Sequence, residues 1–466
     1  MSNNTYPCCG ITRRGLLLGA AAGLPLGWLA YRLFHTPFTG RSVEVPRPAL
    51  AMPGPFPGRV VEVQHPGAIS DDYVVNTTAV RQMMETGMRR LVGGGDVDSA
   101  WKRFFSRDDV VGIKVNPVGR KAKRGEAGRV ATAPGVISSP EILVETVRCL
   151  NEYAGVPRRN IIVFERYANE FRDAGYEEVM RTRPMDGVRW YASAFQYDNE
   201  QTAIDGQNSG SGRDRHVVGY DPDAFVSMGF AAPEHDRRDD RRHRSHLSMI
   251  VTRMVNKIVT IPNLKDHKSA GVTIALKNMS HGMNNNVARS HIGSIYRMGG
   301  AVSGPNQCNT FIPTAVNQRP LLEKATLHIC DGLIGVYEGG PGNWNRTWGY
   351  WLRKSIFFAT DPVALDHVGW DIIDRKRAEL GWLPVGQMGR IQGGPSVGVS
   401  ANQAVLAAMT PPFGTAAVLL EQQRLQRMAS EPFDRRQPEH VALAGTLGLG
   451  RFDARDIDHR FVRLGS

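Results

Sequence analysis

Three lysines, two histidines and three asparagines fall on a few short segments of this 466-residue chain. Lys114 and Asn116 close the apolar run Val110-Val111-Gly112-Ile113. Asn263, Lys265, Asp266 and His267 follow a second run, Lys257-Ile258-Val259-Thr260-Ile261, and Lys277, Asn278 and His281 come within sixteen residues of Lys265. Ammonium groups at 114, 265 and 277, with the fork of Arg166, suit a carboxylate or a phosphate. Asn116, Asn263 and Asn278 add neutral donors. Lys114, Asn116, Asn263, Lys277, Asn278 and Arg166 are therefore the candidate substrate-binding set. His267 can exchange a proton near neutral pH, and with Lys265 and Asp331 it makes the candidate catalytic set. A divalent metal is the cofactor these donors would admit, with His267, His281 and Asp361 as its ligands. Asp266 and His291 extend that list, but the spacings of 14 and 10 between the histidines match no compact zinc pattern. Bland readings stand beside these. Thr360-Asp361-Pro362 is also the ordinary opening of a helix, and Lys265 could be a loop lysine in solvent, a reading that loses ground because His267, Lys277, Asn278 and His281 follow it closely.

The segments that must position these groups alternate between two periodicities. Arg59–Val63, Asp109–Val115, Asn160–Phe164, Val255–Ile261, Ala325–Cys330 and Ser355–Ala359 read as strands. Val74–Val92, Pro140–Ala154 and Pro362–Ile373 read as helices. Ser138 or Ser139 can cap the second helix, and Pro140 and Glu141 suit its first turn. The alternation predicts an α/β fold: a Rossmann-like, mostly parallel sheet with helices on both faces. Polar groups follow strand after strand: Lys114-Val115-Asn116, Glu165-Arg166, Asn263 to Lys268, Asp331-Gly332, Thr360-Asp361. Open α/β sheets bind ligands beyond the carboxyl ends of their strands, so these groups are expected to meet in one cationic crevice there.

Residues 196–248 interrupt the alternation as a large polar insertion. Its run His235–His246 holds five Arg, three Asp and three His. The interleaved aspartates dilute its field, so it reads as a solvated loop, with a polyanion patch or histidine metal site as alternatives. Gly335–Gly342 and the aromatics Trp344, Trp348, Tyr350 and Trp351 read as a long loop pinned by rings. A further helix is expected near Ala416–Met428.

The first forty residues carry no Asp or Glu and contain Thr12-Arg13-Arg14-Gly15-Leu16-Leu17-Leu18 before an apolar stretch to Phe34. That layout is a twin-arginine export signal. Leu16–Phe34 is 19 residues, close to the roughly 20 that span a bilayer, so an uncleaved membrane anchor is the alternative. The organisation expected is a signal or anchor at 1–35, a Pro/Gly-rich tether at 36–58, the α/β domain at 59–375 with its insertion at 196–248, and a C-terminal extension at 376–466 packed on it. The partners implied are the twin-arginine translocase and a small anionic ligand, and the address is the periplasm or another extracytoplasmic space.

Several classes are excluded. There are five cysteines and no Cys-x-x-Cys, which argues against iron–sulfur ligation and a disulfide framework. No Gly-x-Gly-x-x-Gly follows the first strand, no phosphate loop ends in Gly-Lys-Ser/Thr, and no Gly-x-Ser-x-Gly occurs. With 41% apolar residues the chain can bury a core. Its 57 basic and 45 acidic side chains give a net charge of +12, but export and the lack of a recognition motif exclude nucleic acid as partner.

The segments Val111–Asn116, Ile261–His267, Gly271–Asn278, Asp331–Ile334 and Ala359–Asp366 together resemble the domain-of-unknown-function 362 (DUF362) family over about residues 105–375. The resemblance implies that Lys114, Asn116, Lys265, His267, Lys277, Asn278, Asp331, Asp361 and Asp366 act as a common set. It implies no general reaction. Some relatives carry a ferredoxin-like cluster module, whose cysteines this chain lacks, and the insertion departs from compact members. The leading reading is an enzyme acting on a small anionic substrate, with metal assistance as an option. The alternatives are a non-catalytic periplasmic binding or accessory protein, and a module recruiting an acidic partner through the 235–246 run.

Overall fold

The computed structural model describes residues 51–119, 134–197, 203–228, 240–267, 269–291, 308–343, 348–387 and 438–465. The chain divides into two compact units, Met1–Arg47 and Pro48–Ser466, and the described residues all belong to the second. The twin-arginine segment, the Ala416–Met428 stretch and residues 235–239 of the charge run lie outside them. Among the described residues no helix is long and apolar enough to cross a membrane.

Twelve strands are described: β1 (Arg59–Gln64), β2 (Val111–Lys114), β3 (Ile161–Tyr167), β4 (Arg189–Ala194), β5 (Tyr220–Ser227), β6 (Arg244–Ser248), β7 (Lys257–Thr260), β8 (Asn263–His267), β9 (Gly271–Val272), β10 (Ala325–Glu338), β11 (Gly349–Ala359) and β12 (Asp458–Arg463). Ten form one sheet whose main order is β12-β1-β11-β10-β7-β2-β3-β4, with β8 on β10 and β9 on β8. The pairs β12–β1, β10–β7, β7–β2, β2–β3 and β3–β4 are parallel. Within the main order β11 alone runs against its neighbours. Strands buried on both sides must be apolar on both sides, which is why β2, β3 and β7 read as unbroken apolar runs.

Six helices of eight residues or more cover the faces: α1 (Thr77–Val92), α2 (Pro140–Glu152), α3 (Ala275–Met283), α4 (Cys308–Val316), α5 (Pro362–Glu379) and α6 (Glu439–Thr446). One core packs Met83, Met84 and Leu91 of α1 and Leu143, Val147 and Leu150 of α2 on Val61, Val63, Ile113 and Val163. The other packs Leu276 and Met279 of α3, Ile312 of α4, Ile373 of α5 and Val441 of α6 on Val60, Ile162, Phe164 and Phe357. The mostly parallel α/β sheet with helices on both faces is thus present.

Four expectations are corrected. Residues 263–267 are strand, not loop. Pro262 lacks an N–H and breaks the ladder after β7, but β8 resumes beside the same neighbour, β10, at Asp331 and Val336. β10 runs on through Asp331 to Glu338 and pairs with β11, so Gly335, Tyr350 and Trp351 stand in a long antiparallel pair, while residues 339–343 remain loop and Trp344 lies outside the described residues. The insertion is not wholly a solvated loop, since β5 and β6 pair and bury Ser245 and His246. Residues 51–58 are not tether: Met52 is fully buried and its amide donates to Leu322 O at 2.8 Å.

Asp361 and Asp366 knit the helices together. Asp361 Oδ1 accepts from Val363 N and Ala364 N, capping α5, while Oδ2 accepts from Gly58 N and Arg451 N, all at 2.8–2.9 Å. Asp366, on α5, accepts from Ala275 N at 2.7 Å and Leu276 N at 3.2 Å, so it caps α3 from outside. Asp361→Ala leaves four backbone donors without an acceptor. Cap losses and unmet buried donors together place the expected cost at about 3–5 kcal/mol, measurable by urea unfolding; a loss below about 1 kcal/mol would contradict this role.

Candidate functional site

The strand order reverses beside β2, with β3 on one side and β7 on the other. This is the position where open α/β sheets gather ligand groups. Asn116 Nδ2 donates to Asn263 Oδ1 across the reversal at 3.0 Å. The loop after β2 returns over it: Ser138 Oγ donates to Ile261 O and accepts from Asn116 N, and Tyr176 Oη donates to Ser138 O at 2.7 Å.

Each rim lysine meets a different environment. Lys114 is buried and paired with the Glu165 carboxylate, and it also donates to Val115 O at 2.7 Å. Burial lowers its pKa and the Glu165 charge opposes that. The amine presses on α3 at Gly282, where an added Cβ would lie 2.8 Å from Lys114 Nζ. Lys265 is fully buried, and its amine donates to Val118 O (2.5 Å), Val136 O (2.9 Å) and Pro341 O (3.4 Å). Burial brings its pKa to about 7, opposed by Asp266 and Asp331.

Lys277 retains 6% exposure, His267 7%, Asn278 7% and His281 8%. Lys265, by contrast, is at 0%. His267 Nδ1 accepts two backbone bonds, from Ser269 N at 3.0 Å and Ala270 N at 3.2 Å. A ring nitrogen that accepts carries no proton, so in the neutral ring the proton is on Nε2. Nε2 lies 2.9 Å from Lys277 Nζ. In its neutral form that amine can accept from Nε2–H. Burial, with Arg166 adding to it, brings its pKa to about 8.

The neighbours extend this pair in two directions. Arg166 Nη1 donates to His281 O at 2.7 Å, while its Nε is buried without a partner. The Arg166 charge acts on both Lys114 and Lys277. His281 Nε2 and Ser290 Oγ are 2.8 Å apart; Ser290 Oγ donates to Val287 O and lies 3.7 Å from Cys308 Sγ. Burial raises the Cys308 pKa, against the charge of Lys277.

Asp331 acts on Lys265 through its charge but spends its own hydrogen bonds elsewhere. Its Oδ2 accepts from Ser139 N (2.8 Å) and Ser139 Oγ (2.6 Å), and its Oδ1 from Leu333 N (3.0 Å). Burial raises its pKa against those bonds. It lines a cleft of about 670 Å³ with Asp72, Glu141, Asp173 and Tyr73, whose acidic wall is the opposite of a cationic crevice.

Residues 236–371 match the model of the family described as domain of unknown function (DUF362). The DUF362 region supplies β7, β8, Lys265, His267, Lys277, Asn278 and His281, whereas Lys114, Asn116 and Arg166 precede it. No curated protein matches the chain. Among solved structures, a crystal structure of a Thermotoga maritima protein aligns at 11% identity over 67% of this chain and 60% of that one, with a TM-score of 0.34. The chain thus spans 60% of that protein's length.

Lys277, His267, Arg166, His281 and, through Arg166, Lys114 form one neighbourhood. Asn278 borders it, and its Oδ1 is buried without a partner. Lys265 and Asn263 are in β8 beside it, and Lys277's charge acts on Lys265. Among the described residues no three His, Cys, Asp or Glu side chains converge as metal ligands. Both Asp361 oxygens already accept backbone donors, and His281 Nε2 is 2.8 Å from Ser290. Glu165, Ser290 and Cys308 were not expected as partners. Glu165 could have been found, because the register sets Lys114 opposite Phe164, one residue away.

The Lys277 amine has a folded pKa of about 8 against an ordinary 10.5. Between those values the unfolded chain binds a proton that the folded chain has shed, so stability from this group rises with pH across that window. Urea unfolding from pH 7.5 to 10.5 should show this rise flattened in Lys277→Met. An identical slope in both proteins would contradict a neutral amine.

Proposed function

We propose that the chain is an exported enzyme that binds a small oxyanion beside Arg166 and Lys277 and moves a proton with the His267–Lys277 pair. One observation carries the reading: two backbone donors fill His267 Nδ1, which directs Nε2–H to a lysine amine 2.9 Å away. A lysine whose pKa lies near 8 can act as base in one step and acid in the next. Arg166, partly buried with an unmet Nε–H, is suited to the negative charge of a carboxylate or phosphate. Lys114 stays with Glu165 and orders the rim, and Lys265 braces the loop after β2 through its carbonyls.

The twin arginines at 13 and 14 and the apolar run after them support export to the periplasm. Arg13→Lys with Arg14→Lys should leave the protein in the cytoplasmic fraction; equal periplasmic yield of the double variant would overturn this route.

Calorimetric titration of the full chain with inorganic phosphate tests the site. Lys277→Met should weaken binding at least about tenfold, near 1.4 kcal/mol. Lys277→Arg keeps the charge but no proton-accepting amine, so it should retain binding and lose turnover in a panel of phosphate esters and carboxylates. Unchanged phosphate affinity in Lys277→Met would sink the reading. Wild-type binding with no turnover of any panel member would instead make the protein a periplasmic binding protein.

A further inference from the structure

α6, which lies outside residues 236–371, packs on α4 and α5. The start of α6 sits on the turn between β8 and β9, since a Cβ built on Gly271 would lie 2.8 Å from the Pro438 nitrogen. The first turn is then fixed to α4. His440 N donates to Asn309 Oδ1 at 3.3 Å, and Asn309 Nδ2 donates to Glu439 Oε2 at 2.8 Å. Asn309 adjoins Cys308, whose thiol feels the Lys277 charge.

His440 follows from this placement. Its side chain is fully buried, and among the described residues neither ring nitrogen has a hydrogen-bond partner. Lys277 is close enough for its charge to act on the ring. Burial, then that charge, brings the imidazole's pKa to about 3, so it is neutral, with one nitrogen a donor and the other an acceptor. Buried polar groups are nearly always paired. His328, also fully buried, bonds Thr260 Oγ1 through Nδ1 at 2.8 Å between β7 and β10 and leaves one ring nitrogen, Nε2, without a partner, where His440 leaves both.

We propose that His440 contacts the ligand of this site, and that the ligand is an oxyanion bearing a hydroxyl group, a hydrogen phosphate or a phosphate monoester with one proton. The inference rests on the reading of Lys277 and Arg166 as anion-facing groups. The ligand's oxygens meet the donor nitrogen of His440, Lys277 and Arg166. Its hydroxyl meets the acceptor nitrogen, which a fully deprotonated anion leaves unmet. The C-terminal segment therefore supplies specificity to a site whose charge comes from the rest of the chain.

Phosphate and sulfate make the test, because they match in shape and sulfate carries no proton at neutral pH. Calorimetric titration of the full chain with each anion should show phosphate preferred by about tenfold or more. His440→Phe should cut that preference below about threefold. His440→Gln and His440→Asn, which return an amide near one nitrogen or the other, should restore part of it in at least one case, something a purely structural role would not give. Either amide variant also serves if the phenylalanine variant fails to fold. Lys277→Met should weaken both anions alike. If Lys277→Met weakens both while every His440 variant keeps the full preference, the His440 assignment fails and the anion site stands. If wild type binds neither anion, or Lys277→Met changes nothing, the site reading fails and this inference with it.

Discussion

Removing an amine from water is the constraint around which the rim of this sheet is organised. An ammonium taken into a protein interior loses several kcal/mol of hydration unless something replaces it. The three rim lysines meet that demand in three ways. Lys114 takes a counter-ion, Glu165. Lys265 takes three carbonyl oxygens, one for each of its N–H bonds. Lys277 lies 2.9 Å from His267 Nε2, with its pKa brought to about 8. The first lysine keeps a counter-ion and the second spends its donors on carbonyls, whereas the third faces an imidazole.

The aspartates divide in a similar way. Asp331, Asp361 and Asp366 are all buried, and all accept backbone N–H groups. Asp366 fixes the first turn of α3, the helix that carries Lys277 and His281. Asp361 joins the entry to β1 at Gly58, its own helix α5 and the approach to β12 at Arg451. Motif aspartates that look like acid–base groups thus position backbone.

Much of the sheet was legible because its strands are buried on both faces and so are apolar throughout. The runs ending at Lys114, Phe164 and Ile261 lie side by side as expected. The rim was legible only as a list of groups. Periodicity says which residues reach an edge, not which of them face each other. It could not show that Glu165 would claim Lys114, or that the loop after β2 would claim Lys265. It misread 263–267 because a proline masks a strand that resumes in line with its predecessor. His440 left no signal: α6 is short, and nothing in its composition ties it to β8 some 170 residues earlier.

The C-terminal segment completes the sheet at its first strand. β12 pairs in parallel with β1 along its whole length, from Arg59 opposite Asp458 to Gln64 opposite Arg463, while β11 holds the other side. Without residues 458–463 the β1 ladder would present unmet N–H and C=O groups, an edge on which a second chain could add a strand.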